Sequence, residues 1–454
     1  MSDPAVRVAE PSPAELRREV TRLAVPVVGE QLLFMLVGVV DMMIAGRLEP
    51  AVLAGLGMAT FLSWLMGTVF SAVGVGSTAM VARATGAGDR AAARAVTRQS
   101  LLMGLACGLG LLTVNVFLAE RIIAMMGLTG DAAAFGAQWL SITGWAWLPF
   151  GVNIVGAACL RGAGDTRTPM LVMAGVNALN LLLALGLTFG VGPWDGLGAI
   201  GIAVATAASR SLGGLAIPLL LQSGRLRLVV NPWTVVPDPA LLGRILRVGL
   251  PAGGEALFNA VGMGLFYRII AELGDTAVAA HGVAVRTEGL SYLPGFGFAV
   301  AAGTLVGQNL GAARPDLAGR AARTAFVLGG GIMLTMGAVF AVAAETLTAL
   351  FAPGQTEVIA LAAVALRISA LAQAGQAAAF IFAGALRGAG DTLFPMGATA
   401  AGLLLVRLPF ALLLALHWEW GLAGAWAAMA ADLTVRGLLM SGRFARGRWR
   451  TVKV

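Results

Sequence analysis

The amino-acid sequence predicts an all-α integral membrane protein, with twelve transmembrane helices in two pseudo-symmetric six-helix bundles and both termini cytoplasmic. Three observations carry this: an apolar composition, a series of long apolar segments, and an internal repeat. Of 454 residues, 58% are hydrophobic and only 12% charged, with 62 glycines; a soluble domain carries about 25% charged residues. Glycine without a three-residue period excludes collagen, and the apolar excess excludes disorder. Among 31 basic residues the only lysine is Lys453. That removes a nucleotide-binding loop of the Walker type and a lysine Schiff base within the membrane. Cys107, Cys159, His281 and His417 lie far apart in apolar surroundings, a pattern that suits neither a metal cluster nor a disulfide framework. The expectation is therefore no enzyme and no cofactor, but work drawn from binding or from an ion gradient.

Taken in order, residues 1–22 read as a cytoplasmic tail. Glu10, Glu15 and Glu19 interrupt it, and no short apolar stretch with a small-residue cleavage site follows. A hydrocarbon core of about 30 Å takes about 20 helical residues. Such segments lie at 23–45, 53–80, 99–118, 136–159, 169–190 and 198–222, giving a first lobe over 23–222. A linker follows at 223–243, basic and with three prolines. The second lobe, 244–441, holds segments at 245–271, 277–306, 324–345, 359–385, 393–416 and 421–441. A basic tail, 442–454, closes the chain. Arginines gather on one side of this arrangement, from Arg7, Arg17, Arg18 and Arg22 through the 83–98, 161–167, 225–247 and 314–323 stretches, Arg387, and the tail with Lys453. The opposite loops collect only Arg47 and Arg121. The positive-inside rule then sets both termini in the cytoplasm of a multi-pass inner-membrane protein. Arg90, Arg94 and Arg98, one helical turn apart, lie along the inner surface, where anionic headgroups attract them. The net charge of +8 reads as topology and bilayer anchoring, not nucleic-acid binding.

LRGAGDTRTPM at 160–170 recurs as LRGAGDTLFPM at 386–396. Pro26 and Glu30 match Pro251 and Glu255, 81–95 aligns with 306–321, and 196–203 with 421–428, at offsets between 223 and 226 residues. An even number of helices per unit makes the repeats parallel, related by an axis along the membrane normal, and transport sites in such architectures lie between the repeats. The RGAGDT hairpins offer glycines for a tight reversal and Asp165 and Asp391 as caps of the next helix. Gly104 and Gly108 read as a helix-packing pair.

These segments together resemble the MATE (multidrug and toxic compound extrusion) family over about residues 20–440. The likeness rests on Pro26, VVDMMIAGRL at 39–48, the paired LRGAGDT motifs, GLPAGGE at 249–255 and LVGQNLGAARPDLAGRAAR at 305–323. It implies a secondary antiporter of two six-helix lobes that exports amphiphilic, often cationic compounds in exchange for protons or sodium ions. Flippases of lipid-linked intermediates in the same superfamily look similar in plan. In the family an aspartate matching Asp41 is implicated in cation coupling, with polar groups matching Asn153, Asn180 and Thr206. Asn177 is added to that supporting set. Where the resemblance leads one to expect a second acid four residues after Asn180, the chain has Ala184. Hard cations prefer several oxygen ligands, negative ones among them, so protons are favoured over sodium.

A carboxylate within a span costs about 2.5 to 3.5 kcal/mol on insertion scales and is by default a functional hypothesis. Glu30, Asp41, Glu255, Glu288 and Asp432 qualify. Asp41 lies about 22 Å along its helix from Pro26, on the same face as Glu30, and is the first candidate for the coupling ion; Glu255 is the second. The repeat equivalent of Asp41 is Phe266, whereas Glu30 and Glu255 occupy equivalent slots. Those two glutamates either bind cations in the cleft or gate it by hydrogen-bonding across the interface. Glu30, Gln31, Glu288 and Gln373 are cavity or gating candidates. Arg286 and Glu288 point to different faces; Arg268–Glu272 and Asp432–Arg436 read as charge-compensated pairs, and Arg367 and Arg407 as snorkelling or cleft-lining. A hydrophobic cleft with a few acids suits lipophilic cations, with Met35, Met42, Met43 and Met263 as adaptable packing. Trp145 and Trp147 are open to cation–π roles, and Trp139 to the membrane interface.

The resulting expectation is a monomeric, proton-driven exporter of amphiphilic small molecules. The runner-up is a flippase for a lipid-linked sugar, which calls for a more basic cavity able to hold pyrophosphate; Glu30 and Glu255 count against it. A membrane receptor or scaffold is the weaker alternative, since it would carry a soluble output domain that the short tails do not hold.

Overall fold

The computed structural model describes residues 10–226, 228–231 and 236–452. Parts of both tails and of the linker, with Arg7, Arg227 and Lys453, lie outside the described residues. Among the described residues all regular structure is helical, apart from one isolated bridge between Val191 and Trp194. The first half comprises α1 (Pro13–Ala45), α2 (Pro50–Gly67), α3 (Val69–Gly86), α4 (Arg90–Met125), α5 (Gly130–Gly144), α6 (Trp147–Gly162), α7 (Arg167–Phe189) and α8 (Ala199–Gln222). The second comprises α9 (Pro239–Ala271), α10 (Asp275–Gly311), α11 (Pro315–Ala349), α12 (Thr356–Gly388), α13 (Leu393–Ala401), α14 (Leu408–Ala411) and α15 (Gly421–Ala445). Two π-helical stretches, Gly402–Arg407 and Leu412–His417, join α13 to α14 and extend α14.

By length and apolarity ten helical stretches can cross a membrane, or eleven if α5 and α6, bent by 61°, form one span. This is fewer than the twelve expected, because α9, although 33 residues long, is diluted by Glu255, Asn259 and its glycines. α1 and α9 begin alike: a capped N-terminus with proline in the first turn and an internal proline, Pro26 or Pro251. Ser12 and Glu15 form a capping box on α1, and the Asp238 carboxylate accepts from the Ala240 and Leu241 amides on α9. These bonds satisfy donors that a helix start leaves open.

Each half has an apolar core toward the far end of its first helix: Ile44, Leu56, Trp139 and Ile202 in one, Phe266, Ile270, Trp426 and Leu433 in the other. Trp139 is thus a core residue and not an interfacial one. At the near end the halves exchange their first helices. Leu16, Val20 and Leu23 of α1 pack among Leu305, Leu386 and Phe444 of the second half, while Ile245 of α9 packs among Leu160 and Leu221 of the first. Glycines permit the closest approaches. A methyl on Gly86 of α3 would stand 1.8 Å from the Gln308 carbonyl oxygen of α10, and one on Gly249 of α9 would stand 1.8 Å from that of Ala72. Thr304 and Gln308 of α10 also donate to the Arg161 and Gly162 carbonyls, at 3.1 and 2.9 Å. The two halves are therefore sealed at the end bearing the 87–89 and 312–314 turns. Large apolar side chains such as Leu32, Phe117, Leu182, Leu219, Val342 and Leu371 are exposed outward, as a hydrocarbon solvent allows.

The repeated hairpins turn at Gly164 and Gly390, with φ of 86° and 88°, a left-handed conformation that glycine adopts without strain. The Asp165 carboxylate caps α7 by accepting from the Arg167 and Thr168 amides and the Thr168 hydroxyl. Asp391 does not cap its helix as expected: it accepts from Arg443 Nε at 2.8 Å, a cation that α15 brings within reach.

Candidate functional site

Three polar groupings stand out from the apolar helices. The first surrounds Asp41, which is 4% exposed near the end of α1. Its Oδ2 accepts from Thr206 Oγ1 of α8 at 2.9 Å, and that hydroxyl accepts from Asn180 Nδ2 of α7 at 3.2 Å. Asp41 Oδ1 is buried with no hydrogen-bond partner. Ala184, one turn beyond Asn180, is fully buried against Ile202 and Ala205, so no second carboxylate enters here. The charge that does act on Asp41 is that of Arg210, one turn beyond Thr206 on α8, whose guanidinium lies 5.3 Å from the centre of the Phe150 ring. Sequence reasoning passed over Arg210; the signal was a lone arginine within the apolar run 198–222. Asn153 donates to the Gly213 carbonyl at 2.6 Å, and Asn177 to Met173 of its own helix at 2.9 Å. Neither joins the chain of bonds to Asp41.

The second grouping is a central cavity of about 600 Å³ between the halves. Trp64, Phe70, Phe296 and Phe380 supply aromatic walls, and Arg161, Glu255, Arg387 and Arg436 supply the charge. Glu255 Oε1 accepts from Thr399 Oγ1 at 3.2 Å, and its Oε2 lies 3.7 Å from Arg387 Nε. Glu30 accepts from Arg161 Nη1 at 2.8 and 3.1 Å. Each glutamate thus pairs with the arginine of its own half's LRGAGDT motif, and not across the interface as the gating expectation had it. Of the expected acids only Glu255 lines the cavity; Glu30, Asp41 and Glu288 do not, and Gln31 is half-buried on α1 outside it. The expected acidic cleft is in fact lined by three arginines and one glutamate. Met35, Met42, Met43 and Met263 are exposed and are not among the side chains that line it. Trp147 is buried against Phe70, with ring centres 5.9 Å apart, and Trp145 is exposed at the bend between α5 and α6.

The third grouping lies deep in the second half. Asp432, fully buried, accepts from Arg407 Nε at 2.8 Å and from Arg436 Nη2. Arg436 also donates to Asn259 Oδ1 at 3.3 Å. The Arg407 guanidinium lies 5.6 Å from the ring centre of Phe266, the slot equivalent to Asp41. Arg407 ends a π-helical stretch, an irregularity frequent at functional sites. Nearby, Glu288 accepts from Ser369 Oγ at 2.7 Å and Gln376 Nε2 at 3.3 Å, while Gln373 donates to Ser369 Oγ at 3.1 Å and accepts from Ser291 at 2.5 Å. Arg407 and Arg436 both pair with Asp432, while Glu288 is held by the neutral Ser369 and Gln376. Arg286 is exposed and apart from Glu288, Arg367 pairs with Glu345 at 3.0 Å on the surface, and Arg268 and Glu272 form no ion pair among the described residues. His281 accepts from Trp426 Nε1 at 3.2 Å. Among the described residues no three metal-ligating side chains converge.

Comparison with known proteins follows the repeat. The family model described as MatE matches the chain twice, over residues 26–185 and 251–413. A Thermotoga maritima protein named "Probable multidrug resistance protein NorM" is 32% identical over 437 residues, 96% of this chain and 93% of the relative. A Pseudomonas aeruginosa protein of the same name is 30% identical, over 98% of this chain and 92% of its own length. Among solved structures, an "Outward-facing conformation of a multidrug resistance MATE family transporter of the MOP superfamily" matches with a TM-score of 0.86 at 24% identity, covering 95% of this chain and 97% of that one. A Pyrococcus furiosus transporter of the MOP superfamily, described as having a binding pocket of reverse polarity that suggests a different function, matches with a TM-score of 0.87 at 24% identity, over 96% of each chain. The structural likenesses establish the fold.

Proposed function

Because the chain belongs to the MatE family, whose members are membrane transporters and not enzymes, we propose that it exports amphiphilic small molecules in exchange for protons, by alternating access between its two halves. The observation that carries the proton reading is Asp41. It is a buried carboxylate with one oxygen held by Thr206 and the other without a partner. An unpartnered oxygen in an apolar surround is costly, and a proton relieves that cost. Sodium fits less well: Ala184 takes the place of a second acid, and the neighbouring charge, Arg210, is positive. α1 supplies the link to conformation, since Asp41 sits in the first half's core while Leu16, Val20 and Leu23 anchor its other end in the second half's core. Proton uptake that favours one packing of α1 therefore biases the contact between halves, provided the two states hold the proton unequally. In this reading α9 is the twelfth span, the lobes divide at the 223–243 linker, the termini are cytoplasmic, and the sealed end faces the cytoplasm. One chain supplies the whole cavity, so a monomer suffices.

The flippase remains the second reading, since the arginines of the cavity favour it. Against it stands the cavity's size: about 600 Å³ is within the range of drug-sized ligands. The test is efflux of a fluorescent amphiphile from proteoliposomes under an imposed proton or sodium gradient. The expected result is proton-driven efflux, abolished in Asp41→Asn. Sodium-driven efflux lost only in Glu255→Gln moves the coupling site to the second half, and no efflux under either gradient favours the flippase.

A further inference from the structure

The cavity's polarity leads beyond the family's general function to the class of cargo, an inference that rests on the exporter reading just given. Four charged side chains line it, Arg161, Arg387, Arg436 and Glu255. In each ion pair the guanidinium keeps more surface than its carboxylate. Side-chain exposures are 30% for Arg387 against 10% for Glu255, 18% for Arg161 against 14% for Glu30, and 8% for Arg436 against 0% for Asp432.

The donors tell the same story. Arg161 hydrogen-bonds Glu30 through Nη1 alone, and Arg387 bonds the Ala383 carbonyl through Nε, its nearest atom to Glu255. Nε and Nη2 of Arg161 and both Nη atoms of Arg387 thus meet no acceptor among the described residues. A guanidinium with free edge donors, held in place by bonds on its other side, is suited to bidentate capture of a carboxylate, sulfonate or phosphate. The two arginines are repeat equivalents in the LRGAGDT motifs, so each half offers one such fork to the same cavity. Trp64, Phe70, Phe296 and Phe380 supply the apolar surface beside them.

We propose that the central cavity binds an amphiphile carrying an anionic group, held between the Arg161 and Arg387 guanidiniums with its apolar body against the aromatic walls. Glu30 and Glu255 then serve to hold these guanidiniums, and do not receive a cationic cargo.

The test uses the full-length protein in lipid nanodiscs and a matched pair of probes, pyrenebutyrate and pyrenylbutyl trimethylammonium, followed by energy transfer from tryptophan to pyrene. Pyrenebutyrate is expected to bind saturably and more tightly than the cation. Arg387→Lys keeps the charge beside Glu255 but removes the planar fork, and Glu30→Gln with Arg161→Gln removes one ion pair whole. Each is expected to weaken the anion by about tenfold, the size of one charge-assisted hydrogen bond, and to leave the cation unchanged. Displacement by a short-chain phosphatidic acid identifies a lipid phosphate as the natural group; binding that persists against it identifies a free organic anion. Equal or tighter binding of the cation overturns the proposal, as does an anion affinity indifferent to both variants. In proteoliposomes, extrusion of the cation alone overturns the cargo class while the exporter stands; extrusion of neither overturns the exporter itself.

Discussion

Asp432 shows what a single buried charge does in this protein. With Arg407 and Arg436 both donating to it and no exposure of its own, it neutralises two guanidiniums that are themselves more than nine-tenths buried. Removing one member of a buried ionic group leaves uncompensated charge, at a typical cost of about 3 to 5 kcal/mol. Asp432→Asn is therefore expected to lower the thermal midpoint of the detergent-solubilised protein markedly. Replacing Arg407, Asp432 and Arg436 together by apolar residues of similar volume is expected to be far milder. Equal losses in both variants would mean that packing and not charge balance is what these side chains provide.

Helix pairs decide which end of the molecule is closed. α3 meets α10 where Gly86 approaches the Gln308 carbonyl and Gly311 approaches that of Arg83, with methyl groups on the two glycines standing 1.8 and 2.0 Å from those oxygens. A valine at residue 86 cannot be accommodated by a rotamer change, because the obstacle is backbone. Gly86→Val is expected to part α3 from α10 and break the Gln308 bond to Gly162. In a background lacking Cys107 and Cys159, Ala79→Cys in the cavity wall then reacts several-fold faster with a membrane-impermeant maleimide applied from the sealed end. An unchanged rate would show that the seal lies elsewhere.

For the whole molecule the testable quantity is orientation. If the arginine-rich turns face the cytoplasm, single cysteines at the exposed residues Asp89 and Asp316 react only with reagent reaching the cytoplasmic face. Cysteines at Asp131 and Gly192 react only from the opposite one. Labelling of Asp89→Cys and Asp131→Cys from the same side would require a different number of crossings, and α9, a long helix without a stretch apolar enough to cross by length and composition alone, would be the first to reassign.

Much of this architecture was legible in the chain. The membrane class, the duplication, the hairpins at Gly164 and Gly390, and the Asp41, Asn180 and Thr206 set all follow from composition, repeat spacing and resemblance, which are properties of the sequence itself. What only tertiary structure decided was who faces whom: Glu30 with Arg161, Glu255 with Arg387, Asp391 with Arg443, Asp432 with two arginines, Trp139 in a core, and a cavity lined by guanidiniums. The physical reason is that these helices are apolar nearly all round, so periodicity does not announce which face is buried, which meets lipid and which lines a cavity. A charged side chain's partner is then chosen by packing between helices that are distant in sequence, 131 residues apart for Glu30 and Arg161, and no local pattern records that choice.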